Sequence, residues 1–330
     1  MNKVKKLFSG SIREWSLILV MIVISVFVQF RSGGKFFTGV NISDMFTETA
    51  ILAILAVGMM MVIITAGIDL SIGAVMALAG MIGTTILKNN QSLNPVVIIL
   101  IGIGVGFVCG LLNGVLVAKL KILPIIATLG TMNIFRGVTY VIANGSWVLQ
   151  GDMTKQFLSV ATGKVLGINN LVIMALILYV LAYIFMNYTR PGRQIYAVGN
   201  SEESAKVSGI KTDNVLIMSY TIMGAIAGFA GILYVCKFAA AQGETALGYE
   251  MNVIAACVLG GVSIAGGTGK VQGVLFGALL LGILNNAMPL IQVSSFWQEA
   301  IRGLIILLSI IANALIQRNV RNKALRRRNI

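Results

Sequence analysis

A few polar groups stand inside otherwise apolar stretches, and they bound the chemistry available to this chain. Asp69 and Ser71 lie in Gly67-Ile68-Asp69-Leu70-Ser71-Ile72-Gly73, a break between two apolar runs. Their oxygens can cap the helix that follows, or the break can act as a hinge beside a gate. Asn133 and Arg136 share the stretch Thr131-Met132-Asn133-Ile134-Phe135-Arg136-Gly137. A guanidinium is costly at membrane depth, so Arg136 must face protein, water or an interface. It either pairs or snorkels there, or it lines a polar path. Asn285 and Asn286 offer amide donors and acceptors that suit a hydroxyl-bearing solute, and equally a neighbouring helix. These groups can bind and gate.

The missing residue types narrow the field further. The chain has no His, which excludes imidazole metal ligands, imidazole proton relays and Ser/His triads. No Gly-x-x-x-x-Gly-Lys-Ser/Thr run occurs, so no nucleotide phosphate is held by that loop. Cys109, Cys236 and Cys257 fall in apolar stretches without paired spacing; they read as small hydrophobes, and no metal site or cofactor is expected. Asp69 is the one carboxylate placed clearly within the apolar zone. An ion-coupled carrier usually needs more intramembrane polar groups than that, so the energy source is expected outside the chain.

A basic, polar island runs from Thr189 to Lys211 between two apolar spans. Asn200 reads as an N-cap, Glu203 as its capping-box partner and Gly209 as the C-terminal stop of a short helix. A helix that short is not stable alone in water, so it should dock on a partner.

The elements that position these groups are membrane spans. The chain is 57% hydrophobic and 11% charged, with 37 Gly among 330 residues. Its apolar runs approach the roughly 20 residues of a bilayer crossing. The expected fold is all-α and polytopic, with about ten spans, some short or broken: 15–30, 49–66, 71–87, 95–117, 122–142, 171–187, 214–236, 251–266, 271–292 and 297–316. Glycines 260, 261, 266, 267 and 269 equally allow 251–292 to be one broken or re-entrant helix.

Ten spans put both termini on one side. With that side cytoplasmic, most of the 25 Lys and Arg residues fall inside, as the positive-inside rule requires. The net charge of +14 then needs no nucleic-acid partner, and the basic tail 317–330 faces anionic lipid. Residues 1–14 form the cytoplasmic N-terminus and 15–316 the transmembrane domain, with a cytoplasmic loop at about 188–213. The Leu17–Val28 stretch reads as an uncleaved first span. The segments 242–250 and 292–299 read as solvated outer loops.

Gly102, Gly106, Gly110 and Gly114 recur every four residues, as do Gly269, Gly273 and Gly277. Each stripe marks a helix face where backbones approach closely, within this subunit or against a second one. The breaks at Gly67–Gly73 and Gly261–Gly266 also echo one another, as the halves of a transporter repeat do.

Four blocks carry a resemblance over about residues 45–316. They are Val57-Gly58-Met59 with Thr65–Gly73; Ala127–Gly130 through Arg136-Gly137 to Asn144-Gly145-Ser146; Gly192–Asn200 with Ala205–Ile210; and Val258–Gly269 running on to Leu284-Asn285-Asn286. With these blocks in order, the chain resembles the permease subunits of bacterial ABC importers for monosaccharides. The resemblance implies a multi-pass protein of the bacterial inner membrane that performs no catalysis. It implies a partner permease, identical or paralogous, cytoplasmic ATPase subunits, and an extracytoplasmic sugar-binding protein. It also makes the helix near Ser201–Ser208 the coupling helix, with Arg193, Asn200, Ser201, Glu202, Glu203, Lys206 and Gly209 in that segment. Asp69, Ser71, Asn133, Arg136, Asn285 and Asn286 become path or gate positions. The rival expectations are a branched-chain amino acid permease of related architecture and an ion-coupled secondary carrier.

Overall fold

In the computed structural model, residues 12–301 and positions 303, 304, 307 and 311 are described. The basic tail 317–330 and most of the expected span 297–316 lie outside the described residues. The long helices are α1 (Ile12–Arg31), α2 (Gly39–Ile64), α3 (Ile72–Asn89), α4 (Pro95–Ala118) and α5 (Pro124–Ala143). After a short α6 (Lys155–Thr162) come α7 (Asn170–Tyr188), α8 (Arg190–Asn200), α9 (Glu202–Val207) and α10 (Thr212–Phe238). The series closes with α11 (Tyr249–Leu259) and α12 (Val271–Leu290). Among the described residues, eight of these are long and apolar enough to cross a membrane; α11, with 11 residues, is not.

Local chemistry sets the starts. Thr38 caps α2 by accepting from the Asn41 N–H, Asn94 caps α4 with Pro95 at its first turn, and Asn169 caps α7. These side chains satisfy N–H groups that a helix start leaves unpaired. The Thr38 cap moves α2 ten residues earlier than the expected start at 49, which brings Glu48 inside a spanning helix.

The centre of the bundle is α2, buried from Thr49 to Ile64, with α10 and α12 packed on it. Helices α1, α4, α5 and α7 turn apolar side chains outward, as lipid-facing helices must. The first glycine stripe is resolved as an internal seam. A Cβ on Gly106 would run into the Gly224 carbonyl, and one on Gly114 would sit 2.8 Å from the Ile217 Cα. Gly224 and Gly228 return the contact from α10. The second stripe is corrected: Gly273 and Gly277 pack on Gly260 and the Ala256 carbonyl, whereas Gly269 precedes α12 and meets Ile64 and Val262 side chains.

Three non-helical breaks interrupt the bundle, at 65–71, 239–248 and 260–270. Residues 251–266 therefore do not form one span: α11 stops at Leu259, and Gly261, Gly266 and Gly267 take positive φ angles of 96°, 85° and 73°. Irregular backbone survives at membrane depth only where protein or a cavity satisfies it. Here the breaks satisfy one another. The Gly267 N–H donates to the Ile64 carbonyl at 2.9 Å, where α2 ends. A two-residue antiparallel pair, Val148–Leu149 with Ala240–Ala241, ties the 239–248 break to the segment after α5.

Candidate functional site

Two neighbouring assemblies gather the polar residues singled out in the sequence. The first is the segment after α7. Thr189 caps α8 by accepting from the Gly192 N–H at 3.1 Å, with Pro191 in the first turn. Asn200 is the last residue of α8 and its amide donates back to the Tyr196 carbonyl. The cap thus falls one residue after the expected Asn200: Ser201 caps α9, accepting from the Ser204 N–H at 3.2 Å. Glu203 makes no capping-box contact and stays exposed. The C-terminal stop stands as expected. Gly209 has φ +79°, its N–H reaches the Lys206 carbonyl, and the Ile210 N–H reaches that of Ala205, a Schellman closure.

Charge fixes α9 to its surroundings. Glu202 meets Lys206 at 2.6 Å and Lys121 at 3.6 Å, and accepts from the Thr212 hydroxyl. Lys119 and Lys121 pair with Asp213 at 3.1 and 2.9 Å. The Lys206 hydrogen bond holds the Glu202 carboxyl below its ordinary pKa, and Asp213 raises that of Lys121. Lys121 and Lys119 in turn hold the Asp213 carboxyl below its ordinary value, so Glu202 and Asp213 stay ionised against Lys121 at neutral pH. Each pair is at the surface and worth only about 0.2–1 kcal/mol, but together they join the α4–α5 loop, α9 and the start of α10. Glu202 and Lys206 face this brace, while Glu203 and Val207, 91% exposed, face outward. Arg193 is exposed and reaches only the Tyr188 carbonyl.

The inner face of α8 touches the breaks. A Cβ on Gly199 would overlap the Ile64 carbonyl, Gly266 approaches Ala66, and the Tyr196 hydroxyl donates to the Gly269 carbonyl at 2.9 Å. The ends of α2 and of the α11–α12 break therefore rest on α8.

The second assembly is a buried polar knot. Asp69 Oδ1 accepts from the Ser71 N–H at 2.9 Å and the Ser71 hydroxyl at 2.7 Å. Asn113 on α4 donates to the Ser71 oxygen at 2.8 Å, and Thr131 on α5 donates to the Asn113 oxygen at 2.6 Å. Thr128 accepts from the Leu70 N–H, and Tyr220 donates to the Ile68 carbonyl. Ser71 stands at the N-cap position of α3 without a side-chain capping bond. The expected helix-capping role is therefore replaced: Asp69 closes a turn onto Ser71, and both anchor the break to α4. Asn113 and Thr131 carry little local signal of this role; the one trace is an Asn beside Gly114 in a packing stripe.

Arg136 resolves as a structural contact. Its Nη1 donates to the carbonyls of Gly243 and Thr245, both at 2.7 Å. The segment 242–250 is consequently no solvated loop: Thr245 and Glu250 are buried, and Gly73 packs against the Ala246 carbonyl and Glu250. Glu250 and Glu48 are thus carboxylates beyond Asp69 within the bundle. Asn133 is exposed on α5 and donates only to the Leu129 carbonyl. Asn286 pairs reciprocally with Asn41, each amide donating to the other at 3.0 Å. Asn285 lies beside it on a cavity wall.

Residues 41–310 match the family described as branched-chain amino acid transport system / permease component. The chain belongs to this permease family. Similarity extends along almost the full length of individual relatives. The ribose import permease protein RbsC of Escherichia coli K12 is 38% identical over 300 residues, covering 90% of this chain and 92% of the relative. RbsC of Bacillus subtilis 168 is 36% identical over 304 residues, 92% and 94% of the two chains. The galactose/methyl galactoside import permease protein MglC of Escherichia coli K12 is 33% identical over 327 residues, 94% and 97%. No solved structure matches the permease significantly.

Proposed function

We propose that this chain is the membrane-spanning subunit of an ATP-driven importer and forms the path for a monosaccharide or sugar-like solute. The observation that carries the reading is end-to-end similarity to ribose and galactose import permeases, with at least 90% of each chain covered. The subunit performs no covalent step itself. A cytoplasmic ATPase docks on the outward face of α9, through Glu203 and Val207, while Glu202 and Lys206 brace that helix from behind. A second permease subunit completes the path, and an extracytoplasmic binding protein delivers the solute. The bacterial inner membrane holds the assembly with both termini cytoplasmic, which places α8, α9 and the Lys119–Lys121 loop on the basic, inner side.

The family description favours one competing cargo, a branched-chain amino acid. One experiment separates the two. Proteoliposomes holding the permease with its ATPase and binding protein are given radiolabelled pentoses, hexoses and leucine, with and without ATP hydrolysis. ATP-dependent accumulation of one sugar is expected. Accumulation of leucine instead, or sugar uptake driven by an ion gradient without the ATPase, overturns the reading.

A further inference from the structure

A cavity of about 670 Å³ lies between α2, α11 and α12, within the roughly 300–1,000 Å³ usual for small-molecule sites. Asn41, Glu48, Tyr249, Asn252, Asn285 and Asn286 are among its lining residues. At about 1.5 Å per residue along α2, Glu48 stands about 24 Å and Asn41 about 35 Å from Ile64. The cavity is therefore at the opposite end of the bundle from the contact with α8.

Helix packing accounts for only part of this lining. Amides that serve packing are paired, as Asn41 and Asn286 are. Asn285 Oδ1 is buried and has no hydrogen-bond partner, an arrangement that disfavours the empty site until a donor enters. Glu48 meets Lys237 at 2.8 Å; the Lys237 side chain is 11% exposed and that of Glu48 is 61% exposed. The carboxylate is thus turned toward open space with its charge already balanced. Such an acceptor suits the hydroxyls of a neutral molecule better than a cation. A zwitterionic amino acid would need a free cation for its carboxylate, and Lys237 is committed to Glu48. Tyr249 adds an aromatic face, held edge-on by Tyr234 at 6.0 Å, against which the C–H face of a sugar ring can lie.

We infer that this cavity holds the solute during passage, with Asn285 and Glu48 accepting its hydroxyl donors and Tyr249 lying against its ring. The assignment rests on the sugar-import reading above and names the site for it. Neutral, hydroxylated rings are its ligand class.

The test measures uptake of the transported monosaccharide and its monodeoxy analogues in the reconstituted complex, for the wild type, Asn285→Leu and Glu48→Gln. Each variant rate is divided by the wild-type rate for the same sugar, which cancels the preference of the binding protein. Recovery of the complex with its ATPase checks assembly, and Asn285→Thr replaces the Leu variant if that one fails to assemble. Asn285→Leu is expected to lower uptake of the parent sugar about tenfold. For one deoxy analogue the loss should shrink to about twofold, because the contact removed by the mutation is already absent. An equal loss on every analogue, or none on any, overturns the site alone. Wild-type vesicles that accumulate no monosaccharide overturn the sugar-import reading and this assignment with it.

Discussion

A guanidinium inside an apolar helix needs acceptors close by, and Arg136 finds them in the Gly243 and Thr245 carbonyls. Those carbonyls belong to a non-helical break that has no helix ladder of its own, so both sides of the contact depend on it. Charge-assisted hydrogen bonds of this kind contribute about 1.5–3 kcal/mol each. Arg136→Met should therefore lower the thermal stability of the purified permease in detergent by about 3 kcal/mol. Arg136→Lys should recover part of that loss, since an ammonium reaches the same carbonyls without the planar fork. A melting temperature unchanged in Arg136→Met would show that the break is held by other contacts. The same residue marks a boundary of sequence reasoning. Its cost at membrane depth was legible from type and position, but its partners lie 107 and 109 residues away and no local pattern announces them.

At the scale of elements, the seam between α4 and α10 is the clearest case of spacing that dictates packing. Gly102, Gly106 and Gly110 bring α4 against Gly224 and Gly228, and Gly114 against the Ile217 backbone, so closely that a methyl group has no room. Gly106→Ala should reduce the amount of folded permease in the membrane several-fold by forcing the helices apart. Gly104, on the same helix, has nothing within 4 Å of an added Cβ, so Gly104→Ala should leave that amount unchanged. Equal behaviour of the two variants, read by detergent-resistant membrane yield, would refute the seam. Helix identity and this seam were legible because apolar length and a four-residue repeat are local properties. The apolar run that marks α2 begins at Thr49, whereas the Thr38 cap starts the helix at Gly39 and so takes in Glu48. The 242–250 segment departs from its expected place for a different reason. Polarity alone does not separate a loop in water from one folded inward onto a buried charge.

At the scale of the whole molecule, α2 runs from the cavity to the contact with α8. The N-terminal half of α2 lines the cavity, and its last carbonyl, that of Ile64, sits against Gly199 and accepts from Gly267. A continuous helix buried from Thr49 to Ile64 can carry a displacement of α8 to that cavity, because packed elements transmit small shifts through two discrete arrangements. The 260–270 break shares the same contact through the Gly267 N–H, so a displacement of α8 bears on the start of α12 as well as on the end of α2. Gly199 is where this transmission is narrowest. An added methyl would overlap the Ile64 carbonyl and push α8 away from α2, while leaving the exposed Glu203 and Val207 of α9 in place. Gly199→Ala should then retain the ATPase on co-purification but lower the sugar moved per ATP hydrolysed by about tenfold in proteoliposomes. Retained ATPase with an unchanged ratio would mean that motion reaches the path by another route, of which the Lys121–Glu202–Asp213 brace to α5 is the structural alternative. In that event, removing the brace in Gly199→Ala by Lys121→Ala should abolish the remaining coupling.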